Sequence, residues 1–126
     1  MNDRELALKM LFLSVKERLN FGFDIFVNCF NDWEIFPLTQ NNKVIGAVIL
    51  KDAEIHVGYG EKPKGSILKH IKQTLFDVIE KNGFAMTMVS ENNPKGLKFC
   101  KRLGFVETEK KNGKIYMKCE RCNYAN

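Results

Sequence analysis

The stretch Asn93-Pro94-Lys95-Gly96-Leu97-Lys98-Phe99-Cys100-Lys101-Arg102-Leu103-Gly104-Phe105 decides the reading of this 126-residue chain. An Asn accepts a backbone N–H bond at a helix start, a Pro fits the first helical position with its preset φ and missing donor, and a Gly ends a helix in a left-handed turn. Local chemistry alone therefore predicts a short helix capped by Asn93, opened by Pro94 and stopped by Gly104. Just upstream, residues 84–90 read as a short buried strand. Just downstream, residues 106–118 read as a hairpin around Lys111-Asn112-Gly113.

Further out, a long helix is expected over residues 66–81, with Ile67, Leu68, Ile71, Leu75, Val78 and Ile79 on one stripe and Asn82-Gly83 as its stop. Residues 33–39 and 43–50 read as strands joined by a polar Gln40-Asn41-Asn42 turn. Lys51-Asp52 turns the chain into a third strand over residues 53–59. Residues 3–19 carry apolar side chains without Gly or Pro and suit a helix with a broad buried face, whereas the apolar run 21–30 fits a second helix or a buried strand, and periodicity does not decide. The order is helix or helices, three strands, helix, strand, helix, two strands. It predicts an α/β (α+β) fold: one domain spanning 1–126, with a mixed, mostly antiparallel twisted sheet flanked by helices.

The segment 93–105 resembles the last helix of GCN5-related N-acetyltransferases (GNATs). Their pattern runs Asn, two residues, Ala or Gly, two residues, an apolar residue, Tyr, three residues, Gly-Phe. Asn93, Gly96, Phe99, Gly104 and Phe105 match, and Cys100 stands where the family usually has Tyr. The order of elements from Trp33 to Arg121 is similar to that family too. The first thirty residues match it least, since the family usually opens with a strand and here a helix starts almost at once. The truncated layout resembles compact, phage-type members.

In Val57-Gly58-Tyr59-Gly60-Glu61-Lys62-Pro63-Lys64-Gly65-Ser66-Ile67 a strand runs into a loop bearing Gly and Lys that opens a helix. Unpaired N–H groups at a helix N-terminus, the positive end of its dipole and neighbouring ammonium groups all stabilise phosphate oxygens. A solvated helix-start loop would have the same composition. The GNAT family places a basic residue here, then two residues, Gly, one residue, and Gly or Ala. Lys62 takes the basic position, Gly65 the first Gly, and Ile67 replaces the last small residue. The resemblance implies acetyl-CoA as co-substrate, with Lys62, Pro63, Lys64, Gly65, Ser66 and Ile67 around its pyrophosphate and Asn93 beside it. It also implies a pantetheine arm between splayed strand ends near Val57 and Thr87, with the Val57 backbone polarising the thioester carbonyl.

Acetyl transfer to an amine needs a neutral amine, a positioned thioester, donors for the developing oxyanion and a proton for the leaving thiolate. In many GNATs a strand carboxylate corresponding to this third strand takes the amine proton. Glu54 and His56 share one face of that strand, so both are candidate catalytic bases, acting singly or through one water. An imidazole suits the task at neutral pH, and a carboxylate does once burial makes it more basic. A Glu and a His alternating along a strand are also what a plain solvent face looks like. The proton for the thiolate would come from Tyr59, Tyr116, water or Cys100 itself. For Cys100 the simpler reading is a small buried helix residue.

The function implied is N-acetyl transfer from acetyl-CoA to a small-molecule or protein amine by direct attack. A second reading is a catalytically inactive GNAT-like interaction or virion-associated protein, which the Cys at 100 and the Ile at 67 favour. Nucleic acid ranks last: the net charge is +5, but twenty Lys and Arg are interleaved with fifteen acids. The acidic start Met-Asn-Asp-Arg-Glu and the lack of a long apolar span point to a cytoplasmic setting with reduced thiols and no membrane. Cys119 and Cys122 form one Cys-x-x-Cys, expected to be two surface or edge-strand thiols rather than half of a zinc site, so no metal is expected. Family members often dimerise through their last strands, which would make residues 106–118 an interface of a homodimer.

Overall fold

Asn41 (φ 53°), Asn42 (φ 63°), Asp52 (φ 54°), Asn112 (φ 53°) and Gly113 (φ 75°) have left-handed backbone and mark three chain reversals. Asn, Asp and Gly tolerate this region best, and two successive positive φ values match the twist of the strands they join. The computed structural model describes residues 2–65 and 68–121, and of residues 68–70 only the backbone. The turns separate β1 (Glu34–Gln40), β2 (Lys43–Lys51) and β3 (Glu54–Tyr59), and later β5 (Val106–Lys111) from β6 (Lys114–Cys119); β4 is Ala85–Ser90. The six strands form one sheet in the order β1-β2-β3-β4-β6-β5. The pairs β1–β2, β4–β6 and β5–β6 are antiparallel, while β3 and β4 run parallel with Glu54 opposite Met86. The mixed, mostly antiparallel sheet expected from the sequence is therefore present. No described helix is long and apolar enough to cross a membrane.

The chain packs as two compact units, Met1–Lys51 with His56–Ile67, and Asp52–Ile55 with Leu68–Asn126. In the first, α1 (Asp3–Val15) begins where the Asn2 side chain accepts the Glu5 N–H at 2.8 Å, and Asp3 and Glu5 complement the helix dipole. A 3₁₀ turn over Lys16–Arg18 completes the helical stretch expected over residues 3–19. The ambiguous run 21–30 is helical: α2 spans Phe23–Asn28. Tertiary stacking decides it, because a helix brings Phe26 within 5.2 Å of the Phe12 ring and 4.8 Å of the Phe30 ring, and Phe23 within 5.6 Å of Phe12. These rings cover a core of Ala7, Leu8, Leu11, Phe26, Ala47 and Ile49. Gly60 marks a close approach. A Cβ there would lie 2.9 Å from both the Cα and the carbonyl oxygen of Met10, backbone that has no room to yield.

In the second unit, α3 (Leu68–Asn82) buries Ile71, Leu75 and Val78 at helical spacing. It ends as expected: Gly83 has φ 84°, its N–H donates to the Ile79 carbonyl, and the Asn82 amide donates to the Val78 carbonyl. α4 (Pro94–Leu103) has the predicted termini. The Gly96 N–H donates to Asn93 Oδ1 at 3.0 Å, and Gly104 has φ 115°. The Phe105 N–H donates to the Cys100 carbonyl and that of Gly104 to the Lys101 carbonyl, so two otherwise unpaired carbonyls are satisfied by the left-handed stop. Val89, Leu103, Phe105, Ile115 and Met117 are buried.

Contrary to expectation, Cys119 is neither a surface nor an edge-strand thiol: it is 0% exposed and sits on β6, between β4 and β5, opposite Ala85. The strand alternates, so Ile115, Met117 and Cys119 all point inward. Cys122 lies outside the described residues. The edge on that side of the sheet is β5, exposed along its whole length, with Val106 at 64%. Its four charges and a register irregularity between Glu107 and Glu109 discourage pairing with another strand.

Candidate functional site

The candidate residues divide between the two units. The first holds His56, Val57, Lys62, Pro63, Lys64 and Gly65; the second holds Glu54 and Asn93. Ser66 and Ile67 lie outside the described residues.

In the first unit, His56 and Val57 are half-buried on β3, and the His56 ring lies 5.9 Å from the Trp33 ring, tilted by 50°. The chain then leaves the sheet through Gly60, whose N–H donates to the Ile45 carbonyl at 2.9 Å. The loop that follows is exposed except at half-buried Pro63. It is nevertheless tied down. Gln40 Nε2 donates to the Lys64 carbonyl at 2.9 Å while Gln40 Oε1 accepts the Lys64 N–H at 2.8 Å. Lys43 Nζ lies 2.8 Å from Glu61 Oε1. Gly65 turns left-handed at φ 75° with open space where a side chain would project, so backbone can be approached there.

In the second unit, Glu54 is half-buried opposite Met86, whose N–H donates to the Ala53 carbonyl at 2.8 Å. The Asn93 carbonyl oxygen is engaged as the helix cap, so its first role is structural. Pro94, Leu97, Lys98, Lys101 and Arg102 line an open depression of about 520 Å³ on α4. Among the described residues, no group of three or more His, Cys, Asp and Glu is placed to hold a metal ion.

Burial raises the Cys100 thiol from 9.0 to about 11 and the Tyr59 phenol from 10.0 to about 12. Both stay protonated at neutral pH, so Cys100 is not poised as a nucleophile. The sign is that of a group buried neutral. Its contribution to stability is fully present below pH 9 and is lost as pH climbs towards 11, where the unfolded chain ionises first. With iodoacetamide at pH 8, exposed Cys29 is expected to be alkylated well ahead of Cys100, whose rate should rise about tenfold per pH unit until about pH 11. Cys100 is half-buried rather than, as expected, fully buried; peptide mass spectrometry reads both labels, and equal labelling at pH 7 would refute the half-buried neutral thiol.

Two partners were not foreseen. The sequence presents Trp33 only as a strand residue and Gln40 only as part of a polar turn. Neither carries a local signal of its role, since their partners lie 23 and 24 residues further along.

No protein-family model matches the chain, and no curated protein matches it by sequence. Its fold, however, is found among solved structures. PH1933 from Pyrococcus horikoshii OT3 superimposes with a TM-score of 0.77 at 16% identity, over 96% of this chain and 92% of that one. A chimera of the spermidine N-acetyltransferase SpeG of Vibrio cholerae and hSSAT matches at 0.69 with 19% identity, covering 94% and 91%. The N-acetyltransferase PseH of Campylobacter jejuni, in complex with acetyl coenzyme A, matches at 0.66 with 15% identity, covering 94% and 91%. The chain thus has the GNAT fold across nearly its whole length, as its C-terminal helix suggested.

Proposed function

We propose that the chain is an N-acetyltransferase that moves an acetyl group from acetyl-CoA directly to an amine. The observation that carries this reading is the near full-length match to acetyltransferase folds, one of them holding acetyl coenzyme A, in a chain that also has a tethered basic loop leading to a helix. Lys62, Lys64 and the backbone around Gly65 would meet the pyrophosphate, and the Val57 backbone the thioester end. Glu54 or His56 takes the proton from the acceptor ammonium, directly or through water. The neutral nitrogen then attacks the thioester carbonyl, the C–N bond forms, the nitrogen gives its surplus proton to solvent and the C–S bond breaks, releasing the thiolate.

The leaving thiolate is the point at which the Cys at position 100 matters. A thiolate whose conjugate acid has a pKa of about 8.5 departs without a strong acid, and solvent protonates it. Proton transfer from Cys100 or Tyr59 would be uphill, because burial makes both hold their protons more tightly. The missing family Tyr therefore removes one assisting acid and leaves the route through solvent open. The same feature favours the second reading, a GNAT-fold protein that binds partners without chemistry. Calorimetry with acetyl-CoA, followed by a thiol-release assay over a panel of polyamines, aminoglycosides and peptide N-termini, separates the two. Binding with turnover supports the enzyme; absence of coenzyme A binding at millimolar ligand refutes it.

A further inference from the structure

The amide of Gln40 turns both its nitrogen, as donor, and its oxygen, as acceptor, on a single residue. Nε2 donates to the Lys64 carbonyl at 2.9 Å and Oε1 accepts the Lys64 N–H at 2.8 Å. Only one orientation of the amide serves both bonds, so the arrangement defines its own assignment. The side chain thus takes the place of a strand partner for a loop residue 24 positions further along. It is reinforced from the same turn. Asn41 and Asn42 are both left-handed, which sends the chain straight back into β2, where Lys43 reaches Glu61 at 2.8 Å. The β1–β2 turn thus grips the 61–65 loop at two points, and the Gly60 N–H bond to Ile45 fixes where that loop leaves the sheet.

We propose that Gln40 is the positioning residue for the phosphate-binding loop, pre-forming the Lys62–Gly65 backbone for the pyrophosphate of coenzyme A. This role rests on the acetyl-CoA reading above and specifies how the loop serves it. Its chemistry differs from a generic helix-start anion site in one respect. The fork consumes the Lys64 N–H, and Pro63 has no N–H, so Lys64 meets the phosphate through its ammonium and Gly65 through its backbone. A loop held in place before ligand arrives spares the ordering entropy that a free loop would lose on binding.

Calorimetry of wild type, Gln40→Ala and Gln40→Glu with coenzyme A and with pantetheine, which lacks both phosphates of the diphosphate bridge, tests this role. Gln40→Ala is expected to weaken coenzyme A about tenfold, the scale of one to two net hydrogen bonds, with pantetheine affinity unchanged. Gln40→Glu keeps the acceptor for the Lys64 N–H but sets a carboxylate against the Lys64 carbonyl, so it should weaken coenzyme A in the same selective way. Gln40 is the half-buried last residue of β1 and its two bonds lie at the surface, so thermal melts of both variants should stay close to wild type. Unchanged coenzyme A affinity, or an equal loss for both ligands, would overturn the positioning role while leaving the acetyl-CoA reading intact. No coenzyme A binding by the wild type would instead overturn that reading, and this role with it.

Discussion

Replacing both candidate bases of β3 together, Glu54→Gln with His56→Gln, is expected to lower kcat by about 10²- to 10⁴-fold while the dissociation constant of acetyl-CoA stays within about twofold. An alkylamine is almost wholly ammonium at neutral pH, and only its neutral form attacks a thioester. A group that takes its proton in place therefore sets the fraction of productive encounters. Glu54 and His56 are the titratable side chains of β3 apart from Tyr59, which burial holds protonated. Gln is chosen over Ala at 56 because the imidazole lies against the Trp33 ring, and an empty site there would add a packing loss to the chemical one. The single variants apportion the effect. If each alone costs nearly as much as the pair, the two residues act as a unit. If the double variant retains wild-type kcat across pH 6 to 9, solvent deprotonates the amine and β3 is scaffold only.

The fold was legible from punctuation more than from propensity. Asn93, Pro94 and Gly104 bound α4 as expected because a cap, a preset φ and a left-handed stop act within a few residues. Asn82-Gly83 and Asn112-Gly113 did the same for α3 and the last hairpin. Segment 21–30 was illegible for the opposite reason: six consecutive helical residues cannot hold themselves, and α2 exists because Phe26 packs between Phe12 and Phe30. Cys119 was misread because β6 lies inside the sheet, next to β4 with Ala85 opposite Cys119, and turns the thiol to the covered face; strand order is a fact that no local pattern encodes. For the candidate site, the basic loop could be found by composition. The Gln40 fork that shapes it could not, since it joins two segments whose only relation is their meeting in space.

Phe105→Ala is expected to cost about 3–5 kcal/mol, the range for emptying a large aromatic site in a packed interior. Phe105 is 4% exposed and follows directly on the left-handed Gly104, with its N–H closing the helix on the Cys100 carbonyl. The substitution leaves that backbone bond available but removes the side chain that makes the stop worthwhile, since such turns are fixed by an apolar contact as well as by the carbonyls they satisfy. With total stabilities of about 5–15 kcal/mol usual for domains, the loss is about a fifth or more of what holds the unit together. Thermal denaturation followed by circular dichroism should show a fall in Tm of roughly 10–20 °C. Phe105→Leu, which keeps most of the volume, should cost about 1.5 kcal/mol or less. A Phe105→Ala protein melting within 3 °C of wild type would mean that the Gly-Phe pair works through its backbone alone. The match of this pair to the acetyltransferase signature would then concern helix termination and not the packing of the unit that carries Glu54 and Asn93.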